Sequence, residues 1–227
     1  MEEPLPYNPL DKKNLGASVA EALLGRKPQP LNGLQLFHGA GIYAIYYTGE
    51  FDAYQSLAKQ NLGPDLIAPI YVGKAIPSGG RKGIGGPEGT KSKALFNRLK
   101  EHAESIAATP NLKVKDFQCR FLIVDDIWIP LGESLLIAKF APIWNTLIDG
   151  FGNHDPGKGR HAGMRPKWDV LHAGRTWADK CQPRPETAAQ IEREVKAHLS
   201  MLVAPKSPHF YVEQNRPGYI LRGNSNS

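Results

Sequence analysis

Residues 41–47 read Gly-Ile-Tyr-Ala-Ile-Tyr-Tyr, a β-branched and aromatic run without proline that Thr48-Gly49 closes. A run of this kind fits a strand, because such side chains pack well on a pleated surface. Pro69-Ile70-Tyr71-Val72-Gly73 reads as a second strand, and residues 117–124, Phe-Gln-Cys-Arg-Phe-Leu-Ile-Val, as a third. Helices are predicted over Asn14 to Leu24, over Phe51 to Asn61 between Gly49 and Gly63-Pro64, and from a Ser92 N-cap to about Ala108. Two more run from Glu133 to about Phe140, ended by Pro142, and from Glu186 to Leu202. In the Ser92 helix Leu95, Leu99, Ala103 and Ile106 make the apolar stripe. Arg98 and His102 lie one turn apart on one edge of it, so both can point along a cleft wall.

The remaining text is irregular. Residues 1–35 carry five prolines around the first helix and read as an arm packed on the rest; residues 75–92 hold six glycines; periodicity vanishes from 151 to 185; residues 205–227 form a tail. No internal repeat is present. A length of 227 residues with 41% hydrophobic side chains suits one domain with arms. The N-terminus is acidic where a secretory signal would be basic, and no apolar run reaches bilayer length, so a soluble, cytoplasmic chain without membrane contact is expected. Cys119 and Cys181 alone exclude a disulfide framework and a Cys-rich zinc site, which leaves catalysis to other side chains.

Charge points towards a polyanion. The net charge is +6, and it is concentrated: residues 74–120 hold ten Lys/Arg against four acids and residues 150–184 seven against three, while 121–149 carry one base against four acids. Two basic stretches around a less basic one is what two phosphate-gripping surfaces flanking a site would leave in a sequence; solvated faces of an ordinary basic protein are the alternative.

Several motifs fail. Gly152-x4-Gly157-Lys158-Gly159 lacks the hydroxyl and the feeding strand of a P-loop. Pro64-Asp65 has its Glu-x-Lys counterpart, Glu194 to Lys196, far away inside a helix, and Asp125-Asp126 at a strand end is either a metal-binding pair or, more commonly, two surface carboxylates. What remains is a set of single residues. Tyr43, Tyr46, Tyr47 and Tyr71 are ambiguous in isolation, but a buried tyrosine can accept a proton if a cation lowers its pKa from about 10, and Lys74, Arg98 and His102 can supply cationic or proton-accepting neighbours. Arg98 matches phosphate oxygens with planar, permanently charged donors. Glu133 is either a helix-dipole carboxylate or the protein ligand of a Mg²⁺ that keeps several waters, and Asn145 either caps a turn or orients a phosphate. Together these are the parts of a one-metal phosphodiesterase.

Gly41-Ile42-Tyr43, Tyr71-Val72-Gly73-Lys74, Arg98-x3-His102 and Glu133-x11-Asn145, in that order, resemble the GIY-YIG nuclease superfamily. The resemblance covers residues 36–150 and implies an α/β (α+β) fold, a small, mainly antiparallel sheet flanked by helices. Val72 stands for the usual isoleucine, and the 28-residue separation of Tyr43 and Tyr71 is longer than in homing or repair members. The Type II restriction endonucleases fit better. Gly150-Phe151-Gly152-Asn153-His154-Asp155-Pro156-Gly157 and Trp168-Asp169-x-Leu171-His172-x-Gly174-Arg175 are similar to the group that cuts CCGCGG. By this resemblance residues 1–35 are an N-terminal arm and 151–227 an extension for DNA recognition and dimerisation. The protein is then a homodimer around duplex DNA, with a DNA methyltransferase as its functional counterpart.

The roles implied follow. Tyr43 accepts the proton of the attacking water or relays it to His102; Lys74 and Tyr71 place the nucleophile; Arg98 neutralises the pentacovalent phosphate; Glu133 holds one Mg²⁺ per active site; Asn145 orients the phosphate or the metal site. The products are 5′-phosphate and 3′-hydroxyl ends. Arg81, Lys82, Lys91, Arg160, Arg165, Lys167 and Arg175 are the candidates for DNA contact, as base readers or as phosphate ligands. A structure-selective GIY-YIG nuclease and a non-catalytic DNA-binding module are the alternatives.

Overall fold

The computed structural model describes residues 8, 10–63, 65–77, 92–155 and 162–201. Arg81, Lys82, Lys91 and Arg160, the Gly157-Lys158-Gly159 segment and the expected tail lie outside the described residues. One antiparallel sheet runs in the order β1 (Gln29–Pro30), β4 (Phe117–Ile123), β2 (Gly41–Tyr47), β3 (Pro69–Ala75). The three strands expected from sequence are its body. The two-residue β1, which the sequence reading did not anticipate, pairs Pro30 at a sheet edge, where a missing N–H costs least.

β2 is buried at all seven positions because it pairs on both sides and is covered on both faces. Ile42, Ala44 and Tyr46 pack with Val72 and Leu122 of the neighbouring strands, with Ala20, Leu23 and Leu24 of α1 (Lys12–Leu24), and with Ile129 and Leu136 of α4 (Ile129–Phe140). Tyr43, Ile45 and Tyr47 join the larger cluster on the opposite face. That cluster holds Leu57 of α2 (Gln55–Gln60), Leu95, Leu99 and Ile106 of α3 (Ala94–Ala107), and Trp144 of α5 (Ile143–Thr146). Helix α1 starts at an Asp11 cap whose carboxylate accepts from the Lys13 amide at 2.7 Å. Helix α4 begins at Ile129, one turn before the expected Glu133. Pro130 reads as a breaker, yet in a first turn the amide it lacks would have had no helical partner. The helix expected over 51–61 is split into a 3₁₀ turn, Asp52–Tyr54, and α2.

The stretch 151–185, expected to be irregular, contains α6 (Lys167–Leu171), and the final helix, α7 (Ala188–Met201), follows it. Trp168, Leu171, Ile191, Val195 and Leu199 belong to the same cluster as Tyr43 and Leu99, so the extension shares a core with the sheet. A polar chain runs through this junction. Trp144 Nε1 donates to Tyr54 Oη at 2.9 Å, Tyr54 Oη lies 2.7 Å from His172 Nε2, His172 Nδ1 lies 3.0 Å from Asn111 Oδ1, and Asn111 Nδ2 donates to the Leu171 carbonyl at 2.9 Å.

Burial lowers the His172 imidazole to about 3. Its unfolded value is about 6.5, so the unfolded chain takes up this proton first and folding stability falls as pH drops from about 6.5 towards 3, by about 1.4 kcal/mol per unit. Urea unfolding at pH 7, 6 and 5 should show this loss, and His172→Gln should flatten the profile relative to wild type. Parallel profiles would mean that His172 is not held neutral.

Candidate active site

The register of β2 against β3 sets Tyr43 opposite Gly73. The Tyr43 ring lies across that position, and a Cβ on residue 73 would collide with its hydroxyl, so glycine is required here for close approach. Tyr71 sits on the same face, its ring centroid 6.2 Å from that of Tyr43. On α3, one turn separates Arg98 from His102, and the amphipathic stripe turns His102 inward until its side chain is buried.

Tyr43 Oη and His102 Nε2 are 2.6 Å apart. Burial pushes the Tyr43 phenol well above its usual value of 10; Tyr71 and Glu133 add to the rise and Arg98 opposes it. Burial also holds the His102 imidazole well below its usual 6.5, with the charge of Arg98 acting in the same direction. The pair is therefore neutral at pH 7. A free phenolate at Tyr43 is unfavourable in this setting, whereas a hydroxyl that takes a proton from water while handing its own to His102 creates no unpaired charge on the tyrosine. The His102 ring is stacked on Phe151 at 4.5 Å and 18°, and Tyr71 meets Phe151 edge-on at 4.9 Å.

Arg98 is held from three directions. Nη1 donates to His154 Nε2 at 2.6 Å and to Glu101 Oε2 at 3.2 Å, and Nη2 donates to the Gly152 carbonyl. A Cβ on Gly152 would run into the Tyr71 hydroxyl. Lys74, one residue beyond Gly73, projects to the α4 side, where its Nζ pairs with Glu133 Oε2 at 2.6 Å. Asn145 Oδ1 accepts from the Val72 amide and its Nδ2 donates to the Val72 carbonyl, both at 2.8 Å. The Asn145 amide thus acts as a one-residue strand partner on the free edge of β3, and its bearing on the site runs through Val72.

The described residues contain no group of three or more His, Cys, Asp or Glu that could hold a metal. Glu133 is a single carboxylate, 17% exposed, with Lys74 as its counter-ion. That donor set fits a magnesium ion, which keeps several waters and takes one or two carboxylates together with substrate phosphate oxygens. Asp125 and Asp126 are exposed in the turn that leads into α4.

The DNA-contact candidates that are described lie in the extension. Lys167 is bound to Glu194 at 2.9 Å, and Arg165 donates to the Ala178 carbonyl at 3.0 Å and pairs with Asp179 at 3.5 Å. Arg175 requires a correction: it is buried, with every guanidinium N–H taken by Asp169 and by main-chain carbonyls, and it presents nothing to DNA. Sequence reasoning did not assign site roles to Phe151, Gly152 and His154. Their segment has no periodicity, and their only signal in the sequence is the run Gly150 to Gly157.

A family model described as Eco29kI GIY-YIG domain matches residues 35–199. No curated protein matches the chain. None of the described helices is long and apolar enough to cross a membrane.

The His102 Cε1–Hε1 signal should hold its position from pH 7.5 to 5.5 in metal-free protein, because the ring stays neutral. Movement through that range would show that His102 is protonated there and is no proton acceptor at the lower end.

Proposed function

Since the chain belongs to the Eco29kI GIY-YIG family, a family of restriction endonucleases, we propose that it is a Type II enzyme that cuts both strands of duplex DNA at a short GC-rich palindrome, CCGCGG being the first to try. The observation that carries this reading is the buried Tyr43–His102 hydrogen bond set beside the Arg98 guanidinium, with the Lys74–Glu133 pair at the adjoining edge of β3. A homodimer on DNA, a methyltransferase acting on the same site and a cytoplasmic location belong to the same proposal.

The reaction is a hydrolysis. Tyr43 accepts a proton from the attacking water as its own passes to His102 Nε2, so the proton ends on the imidazole. Arg98, kept in place by Gly152, His154 and Glu101, faces the phosphate charge that develops as the water oxygen bonds to phosphorus and the 3′-oxygen leaves. Glu133 would hold the magnesium ion, which supplies electrophilic stabilisation of the leaving oxygen when bound. Lys74, at the end of β3 beside Glu133, would help orient the water, and Tyr71 closes the opposite wall. The leaving 3′-oxygen takes a proton from solvent and His102 returns its own to solvent, so the products carry 5′-phosphate and 3′-hydroxyl ends.

Incubation of the protein with a phage-length duplex of known sequence, with Mg²⁺ and with EDTA, followed by sequencing of fragment ends, tests the proposal. Metal-dependent cuts at one palindrome are expected. Cuts confined to branched substrates would replace it with a structure-selective nuclease, and binding without cleavage in either condition with a non-catalytic module. Glu133→Ala and Tyr43→Phe should fold and bind DNA but lose activity by about 10³-fold or more, and His102→Ala by about 10²-fold. Equal rates for wild type and His102→Ala would remove the relay.

A further inference from the structure

Arg175 and Asp169 are among the few charged side chains that the fold buries, at 6% and 2% exposed, and the proposed reaction does not use them. Each donor of the guanidinium is engaged. Nε donates to Asp169 Oδ1 at 2.6 Å and Nη2 to Asp169 Oδ2 at 2.6 Å; Nη2 also donates to the Gly150 carbonyl at 2.9 Å; Nη1 donates to the carbonyls of Phe151 and Asn153, both at 3.1 Å. The guanidinium carbon lies 4.5 Å from the Trp168 ring centroid and 4.8 Å from that of Trp177, so the plane is gripped by two indoles as well.

The segment so held reaches the catalytic centre. Of four consecutive carbonyls, those of Gly150, Phe151 and Asn153 accept from Arg175, and that of Gly152 accepts from Arg98. Phe151 lies between them, stacked on His102 and edge-on to Tyr71. Gly150 has φ of +102°, a backbone conformation that glycine tolerates and other residues resist, and a Cβ there would collide with the Pro166 ring. An apolar pair could stabilise the core as well as a buried ion pair does. It could not fix three of four consecutive carbonyl groups.

We propose that the Asp169–Arg175 pair is a positioning device for the catalytic centre, fixing through residues 150–153 the Arg98 guanidinium and the His102 ring. The effect on turnover rests on the nuclease reading above; the effect on geometry does not.

Arg175→Lys keeps the cation and the stem but cannot serve two carboxylate oxygens and three carbonyls at once. Trp177→Leu removes one half-buried indole and is the milder variant. Cleavage kinetics with Mg²⁺ are paired with two signals of the metal-free protein, Arg98 Nε–Hε and His102 Cε1–Hε1. The expected result for Arg175→Lys is kcat down about 10- to 100-fold with KM within about twofold, and displacement of both signals. Trp177→Leu should change the same quantities in the same direction by less. A lowered melting temperature with kcat and both signals unchanged would reduce the pair to a structural role and overturn the proposal. Should Arg175→Lys fail to fold, Trp177→Leu decides alone by the same criteria. If wild type cleaves no duplex, the nuclease reading fails, and the two signals still judge the clamp: displaced signals support it and unmoved ones sink it.

Discussion

The Tyr43 hydroxyl has no exposure to water, and its hydrogen-bond partner inside the protein is His102 at 2.6 Å. Much of the architecture serves that contact. β2 places Tyr43 on the face towards α3, the apolar stripe of α3 turns His102 inward, Gly73 leaves room for the ring, and Phe151 covers the imidazole. Burial makes the two groups neutral together, the one state in which a proton can enter at the hydroxyl and leave at the imidazole without an isolated charge forming in between.

The same core contains a second tyrosine–histidine pair, and the comparison separates structure from chemistry. Tyr54 and His172 are as buried and nearly as close, at 2.7 Å. Their hydrogen-bond partners are all neutral, from Trp144 Nε1 to Asn111 and the Leu171 carbonyl, so the network closes on itself, and the charge of Glu192 comes last among the causes that shift the Tyr54 phenol. Tyr43 and His102 instead feel Arg98, and Tyr43 also feels Glu133. A buried pair with satisfied neutral ends stabilises a core; a pair flanked by fixed charges has a direction in which a proton can move.

The strands and the gathering of Tyr43, Arg98 and His102 were legible because each rests on a local rule: β-branched and aromatic runs for β2 and β4, and a one-turn spacing on an amphipathic helix for Arg98 and His102. Residues whose place depends on long-range closure were not. Phe151 and Gly152 lie at the site in a segment bonded to Arg175, more than twenty residues on, and to Arg98, and no periodicity encodes those contacts. Arg175 itself looked like a DNA contact, since basic charge in a Gly-rich stretch reads as surface. Its aspartate six residues earlier and the tryptophans at 168 and 177 were the signal that it is interior.

Asn145 shows how a side chain can govern a site that it does not enter. β3 is an edge strand among the described residues, and its outer N–H and C=O at Val72 would be open were they not taken by the Asn145 amide. Val72 stands between Tyr71, which faces Tyr43 and Phe151, and Lys74, which faces Glu133 across the edge. Successive strand residues point to opposite faces, so a shift of β3 at Val72 would move the phenol on one side and the ammonium on the other at the same time. The single amide on α5 therefore holds β3 at the residue between Tyr71 and Lys74. That is a positional task for which an asparagine, with a donor nitrogen and an acceptor oxygen in one plane, matches a peptide group better than any charged residue would.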